Sequence, residues 1–233
     1  MKMNSKNALH LERRLRSPRS AAIAGIIFSL LMLTIMIMSY RAAEMELTNI
    51  TGEWLESWMQ TAHLMLTLVP FAGIAFLWFT GVVRDRMSEL EDRFFETIFF
   101  GSGIILVMLW FFWGSVFGAI LGTRVLTAIK FSDETTYLFG FVLMNEILGN
   151  YTLRITGVYM LSIGSAWNRT DVMPRWLTIL TYIMALSFIL MGGSIREARF
   201  TFPGWVLLVS IYILITNYRR KRDQEVSSEL LAE

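Results

Sequence analysis

The sequence predicts an all-α fold embedded in a membrane: a polytopic bundle of six transmembrane helices with both termini cytoplasmic. Three observations predict it. Of the 233 residues, 55% are hydrophobic and 17% charged, whereas a soluble domain carries roughly a quarter charged residues. The apolar residues gather into six windows, at about 21–39, 61–82, 97–122, 138–164, 174–193 and 203–217, and a helix needs roughly 17–25 such residues to cross a hydrocarbon layer about 30 Å thick. Finally, the basic residues alternate between connections. With the N-terminus inside, 15 of the 21 Lys and Arg fall on the cytoplasmic side and 5 on the other, Arg154 lying within a window; the positive-inside bias therefore places both ends in the cytoplasm.

Residues 1–20 form a basic leader, with Arg13, Arg14, Arg16 and Arg19 just before the first window. Its apolar run is too long for a signal peptide, and cleavage after Ala42 or Ala43 would put Tyr40 or Arg41 where a small residue is wanted, so it reads as a retained anchor. In the connection that follows, Trp54 and Trp58 lie four apart, placing two indoles on one helical face at an interface or over a neighbouring helix end. The third window contains LWFFW, an aromatic belt facing lipid or core, and then GSVFGAILG, which sets Gly114, Gly118 and Gly122 on one face. Small residues at this spacing let helices approach closely in lipid, within the chain or at the seam of a homo-oligomer. Ala21, Gly25 and Ser29 repeat the pattern in the first window. Pro174 opens the fifth window and Pro203 the sixth, positions that tolerate a missing N–H. The chain has no Pro- or Gly-rich linker and no visible internal repeat, so residues 21–217 read as one helical domain followed by a disordered cytoplasmic tail at 218–233.

Between the second and third windows, GVVRDRMSELEDRFFETIFFGSG, residues 81–103, has no glycine or proline between its ends. Helical periodicity predicts a continuous cytoplasmic helix with Met87, Leu90 and Phe94 on one side and Asp85, Glu89, Asp92 and Glu96 as an acidic stripe on another. Glu89 can pair with Arg93 four residues on. The stripe is either a solvated, salt-bridged face or a site for a divalent cation or partner, though neither an EF-hand loop nor a Glu-x-x-His pattern accompanies it. The succession G-V-V-R-D-R, E-D-R-F-F and F-G-S-G resembles a segment of uncharacterised bacterial multi-span inner-membrane proteins. The resemblance covers about a tenth of the chain and implies a bacterial inner membrane, with no substrate attached.

The fourth window holds the chemistry. FVLMNEILGNYTLRITG, residues 141–157, sets Glu146, Asn150 and Arg154 at i, i+4 and i+8 with Asn145 alongside. An ionised residue at the bilayer centre costs about 2.5–3.5 kcal/mol on insertion scales, so this stripe is expected to face the bundle interior. Glu146 and Arg154 are about 12 Å apart along the axis, too far for direct pairing, leaving Asn150 or other helices to mediate. Thr152 and Thr156 border the stripe, and His63, Thr67, Ser102, Ser115 and Tyr182 are candidates to complete a network, His63 as an accessory near the outer mouth. Such residues line a wet path for a small anion, a proton or a lipid head group, or form a sealed network that fixes helix register.

The absence of cysteine rules out disulfides, thiolate metal sites and iron–sulfur clusters. With His10 and His63 the only histidines, bis-histidine haem and zinc sites lack donors. There is no H-E-x-x-H helix, no G-x-S-x-G elbow, no P-loop and no T-V-G-Y-G filter. Neither a cofactor, a metal nor a nucleic-acid partner is expected, and an enzymatic activity is disfavoured. Two functions remain: a protein binding or transporting a small polar or anionic solute, proton or lipid head group through the fourth-window stripe, or a non-catalytic assembly subunit that meets another membrane protein through the third-window glycines and acidic helix.

Overall fold

The computed structural model describes residues 18–45, 52–88, 93–127, 134–170, 173–192 and 198–230. These residues form six helical rods and no strand. Helix α1 spans Pro18–Met45, α2 Gly52–Ser88 and α3 Arg93–Thr127. The fourth rod is α4, Glu134–Glu146, followed by a π-helical turn over Ile147–Tyr151 and then α5, Thr152–Thr170. Helices α6, Arg175–Met191, and α7, Ala198–Leu230, complete the bundle. Four helices contain segments long and apolar enough to cross a membrane: Arg19–Tyr40, Gln60–Asp85, Phe94–Ile120 and Ala198–Tyr218. The other two rods differ for physical reasons. The fourth is broken by the π turn and carries polar residues, and α6 has only 17 residues, about 25 Å of rise against the 30 Å of a hydrocarbon layer.

Helix α1 packs on α2 and α7, α2 on α3, α3 on the fourth rod, and α5 on α6. An aromatic nucleus ties the rods together. Phe76 of α2 has ring centroids 4.8 Å from Phe28, 5.0 Å from Trp110, 5.3 Å from Tyr159 and 5.8 Å from Phe202, so one ring touches aromatics of α1, α3, α5 and α7. The LWFFW run divides between both predicted roles, since Trp110 and Trp113 are buried while Phe111 and Phe112 are exposed. Much of the exterior is apolar too, including Ile23, Ile27, Phe71, Ile74, Met108 and Ile183, as expected of a surface solvated by lipid rather than water.

Polar side chains in the rods mostly satisfy themselves. The hydroxyls of Thr67, Ser102 and Ser115 bond to the carbonyls of His63, Phe99 and Phe111, the local solution open to Ser and Thr where water is absent. Tyr182 bonds to Ser165 of α5 at 3.3 Å, and Trp205 Nε1 donates to Thr181 Oγ1 at 2.9 Å. Hence these candidates do not join the charged stripe: Thr67, Ser102 and Ser115 bond within their own helices, and Tyr182 clips α6 to α5.

Several expectations change. The segment 81–103 is not one continuous helix: Arg84 Nε donates to Glu96 Oε1 at 2.7 Å, whereas residues twelve apart in a helix would be about 18 Å apart. Helices α2 and α3 therefore lie side by side at this end of the bundle, and Arg84, stacked 4.3 Å over the Phe100 ring, ties them together. Trp54 and Trp58 belong to the first turns of α2 rather than to a separate helix. The tail, expected to be disordered, continues α7 to Leu230; RRKRDQE is rich in helix formers and no glycine or proline follows Gly204. Helix α7 also begins at Ala198, so Pro203 lies inside it. Pro174 is the N-cap of α6, its carbonyl accepting from the N–H of Leu177 and Thr178 at 3.0 and 3.2 Å.

The glycine predictions divide. A Cβ at Gly114 would stand 3.6 Å from Val69, and one at Gly118 3.3 Å from Leu66, so both face α2 of the same chain, while Gly122 meets nothing within 4 Å. Tighter approaches occur at Gly25, within the predicted Ala21–Gly25–Ser29 pattern, and at Gly157, which no pattern marked. A Cβ at Gly25 would overlap the Ser210 hydroxyl of α7, and one at Gly157 would lie 2.7 Å from the Ala185 carbonyl oxygen of α6.

Candidate functional site: a charged hollow at the end of helix α6

The site is built on the π turn. Gly149 and Asn150 are poor helix formers, and here the ladder widens so that both the N–H and the hydroxyl of Thr152 reach the Ile147 carbonyl, the latter at 2.8 Å. Interruptions of this kind are frequent at functional sites. The wider turn keeps Ile147, Leu148, Gly149 and Thr152 buried while Glu146 and Arg154 emerge on the exposed side. The stripe predicted from spacing is thus a real face, but it does not turn into the sealed interior as expected.

Instead it lines an open hollow of about 360 Å³ bounded by Asn145, Glu146, Gly149, Asn150, Arg154, Met191 and Arg199. Asn150 Nδ2 donates to Glu146 Oε2 at 3.0 Å, and Arg199 donates from a terminal guanidinium nitrogen to Asn145 Oδ1 at 3.1 Å. Asn145 in turn donates to the Phe141 carbonyl at 3.0 Å. Arg154 makes one long hydrogen bond, 3.5 Å, to the Asn150 carbonyl. Glu146 and Arg154 do not pair, as their separation predicted. Of the five N–H donors on a guanidinium, Arg154 therefore presents most to the hollow, close to but not bonded with Glu146.

Helix α6 explains why the hollow exists. Counted from Arg169, which stacks 5.0 Å over Phe95 at the Arg84 end of the bundle, Arg154 stands about 22 Å along its rod, and the 17 residues of α6 rise about 25 Å from the same end. The helix stops beside Arg154, leaving a notch where a longer helix would have covered the rod. Gly192 closes α6 with φ +41°, and a Cβ there would lie 3.0 Å from an Arg154 guanidinium nitrogen and 3.2 Å from Asn150 Oδ1. A side chain at this position would be strained and would fill the floor of the hollow.

Below the floor, the bundle is closed. A void of only about 10 Å³, bordered by Met32, Trp110, Thr152, Thr156, Arg199 and Phe202, has room for about one water molecule. Beneath it lie Phe28, Phe76 and Tyr159, all without exposed surface. Thr152 and Thr156 bond to carbonyls of their own rod and so lie under the hollow rather than in it.

His63 is exposed on α2 and is not among the residues bounding the hollow. Of the acidic stripe, Asp85 is exposed and Glu96 is committed to Arg84, while Glu89 and Asp92 lie outside the described residues. Among the described residues no group of three or more His, Cys, Asp or Glu is placed to hold a metal ion. Two site residues were missed from sequence. A sixth window opening at Pro203 leaves Arg199 in a connection, and a fifth window running to 193 places Gly192 in its last apolar turn, although the Gly192-Gly193 pair is itself a helix-ending signal.

No family model, curated protein or solved structure matches the chain.

Proposed function

We propose that the chain is a multi-span protein of a bacterial inner membrane, with both termini cytoplasmic, that binds a small anionic group in the hollow beside the π turn. The observation that carries this reading is the state of Arg154: a guanidinium about 22 Å along its rod that spends one long hydrogen bond on the protein and meets no carboxylate. Among the described residues bordering the hollow, Arg199 is a further cation and Glu146 the carboxylate. Arginine forks match carboxylate and phosphate oxygens bidentately, and 360 Å³ lies within the range of ligand sites. The closed aromatic nucleus favours binding over passage. The assembly reading is weakened by Gly114 and Gly118, which face α2 of the same chain.

Arg154→Leu should insert and fold normally, because its side chain is exposed and removing a membrane-depth charge relieves a cost. A ligand that binds the folded state raises its thermal midpoint; inorganic phosphate should do so for the parent chain and not for Arg154→Leu. Each charged hydrogen bond is worth about 1.5–3 kcal/mol, so affinity should fall roughly ten- to hundredfold. An equal phosphate-induced shift in both proteins would overturn the reading.

A further inference from the structure

We infer that the anionic group is the phosphodiester of a zwitterionic aminophospholipid, held with its phosphate at Arg154 and its ammonium at Glu146. The inference rests on the anion-binding reading above and adds the ligand's class and orientation.

The order of charge along the hollow is its first support. From Arg169, Arg154 stands about 22 Å along the rod and Glu146 about 34 Å, in a hydrocarbon layer about 30 Å thick. Arg154 therefore lies about 12 Å deeper than Glu146, with Asn150 between them bonded to Glu146 at 3.0 Å, while Arg199, bonded to Asn145 at 3.1 Å, stands level with Glu146. A helical side chain leans toward the N-terminal end of its helix, so the Arg154 guanidinium reaches toward Glu146, as its bond to the Asn150 carbonyl shows. A phosphoethanolamine head group presents the complementary series, phosphate nearer the chains and ammonium nearer water. A phosphoglycerol head group has no cation for Glu146, and a choline has no N–H to donate to it.

The surroundings support an amphiphile. Ile179, Ile183, Leu186 and Leu190 follow one face of α6 and are all more than half exposed, at 58%, 59%, 54% and 70%. This ridge runs up to Met191, which borders the hollow and is itself 52% exposed, so a chain lying along it ends with its head group in the notch. A second copy of this protein is a poor occupant. Two copies related by an axis along the membrane normal hold Arg154 opposite Arg154 and Glu146 opposite Glu146, setting like charges at each level.

The test is competition for the intact protein in detergent among phosphatidylethanolamine, phosphatidylglycerol and phosphatidylcholine, read by native mass spectrometry, with glycerophosphoethanolamine as the chain-free probe. Phosphatidylethanolamine should be retained several-fold over the other two lipids and over the soluble probe. Glu146→Gln should abolish that preference while total lipid retention persists, and Glu146→Asp should restore part of it. Equal retention of phosphatidylglycerol, or a preference unchanged by Glu146→Gln, would overturn the inference. Tighter binding of glycerophosphoethanolamine than of the lipid would overturn it too, but leave the anion site standing if Arg154→Leu weakens that binding. If Arg154→Leu weakens no probe, the anion site fails along with the inference.

Discussion

Phe76→Ala should destabilise the bundle more than any other single truncation of an aromatic ring. Phe76 is fully buried, and its ring contacts Phe28, Phe79, Trp110, Tyr159 and Phe202, so its removal loosens four helix interfaces at once. In a water-soluble core, Phe→Ala costs about 3–5 kcal/mol through lost transfer energy plus the cavity left behind. In a bilayer the separated helices remain in an apolar solvent, so the transfer contribution largely vanishes and packing carries the loss. About 2–3 kcal/mol is then expected from the cavity. Reversible unfolding in mixed micelles measures it, with Phe112→Ala as the control: Phe112 is 53% exposed and its truncation should change stability little. Equal effects of the two substitutions would show that the aromatic nucleus does not hold the rods together.

Gly157→Leu should prevent assembly of the fourth rod with α6. A Cβ at Gly157 would lie 2.7 Å from the Ala185 carbonyl oxygen and 2.6 Å from Ile189 Cγ1. The carbonyl belongs to a helix backbone, so relief requires α6 to move bodily. Overpacking by one methyl costs about 1–3 kcal/mol, the range expected for Gly157→Ala, and a leucine exceeds it. Because α6 forms one wall of the hollow, the displacement should also weaken phosphate binding. Gly114→Ala and Gly122→Ala are the contrasting cases: their Cβ atoms would meet Val69 at 3.6 Å and nothing within 4 Å, respectively. Both should leave the thermal midpoint nearly unchanged, and a Gly157→Ala variant as stable as these would contradict the helix placement.

Hydropathy made the rods legible because their number and approximate limits depend on runs of apolar residues, a property of each segment alone. The same reasoning identified Glu146, Asn150 and Arg154 as one face, since their spacing survives even the π turn. What it misread depends on relations between segments. The small-residue pattern of the first window did mark the close approach at Gly25, but the regular triplet Gly114, Gly118 and Gly122 packs more loosely than Gly157, an isolated glycine whose role appears only once Ala185 stands opposite it. Arg199 looked like a loop charge because proline usually opens a helix, and here α7 starts before Pro203. The direction in which the stripe faces followed from the length of α6. A 17-residue helix leaves the fourth rod uncovered where a longer one would have buried it, and nothing in residues 141–157 encodes the length of a neighbour. Likewise, the carboxylate of Glu96 belongs by spacing to a solvated stripe, and only the side-by-side packing of α2 and α3 brings Arg84 to it.

The central claim is that a water-accessible charged hollow opens at the end of α6 while the bundle beneath it is sealed. The chain contains no cysteine, so single cysteines can be introduced without altering a background. In intact vesicles, Asn150→Cys should react with a membrane-impermeant maleimide from one side only, Leu186→Cys on the lipid-facing ridge should remain unlabelled, and phosphate should slow the reaction at position 150. An Asn150→Cys chain as inert as Leu186→Cys, or one labelled equally from both sides, would contradict the account.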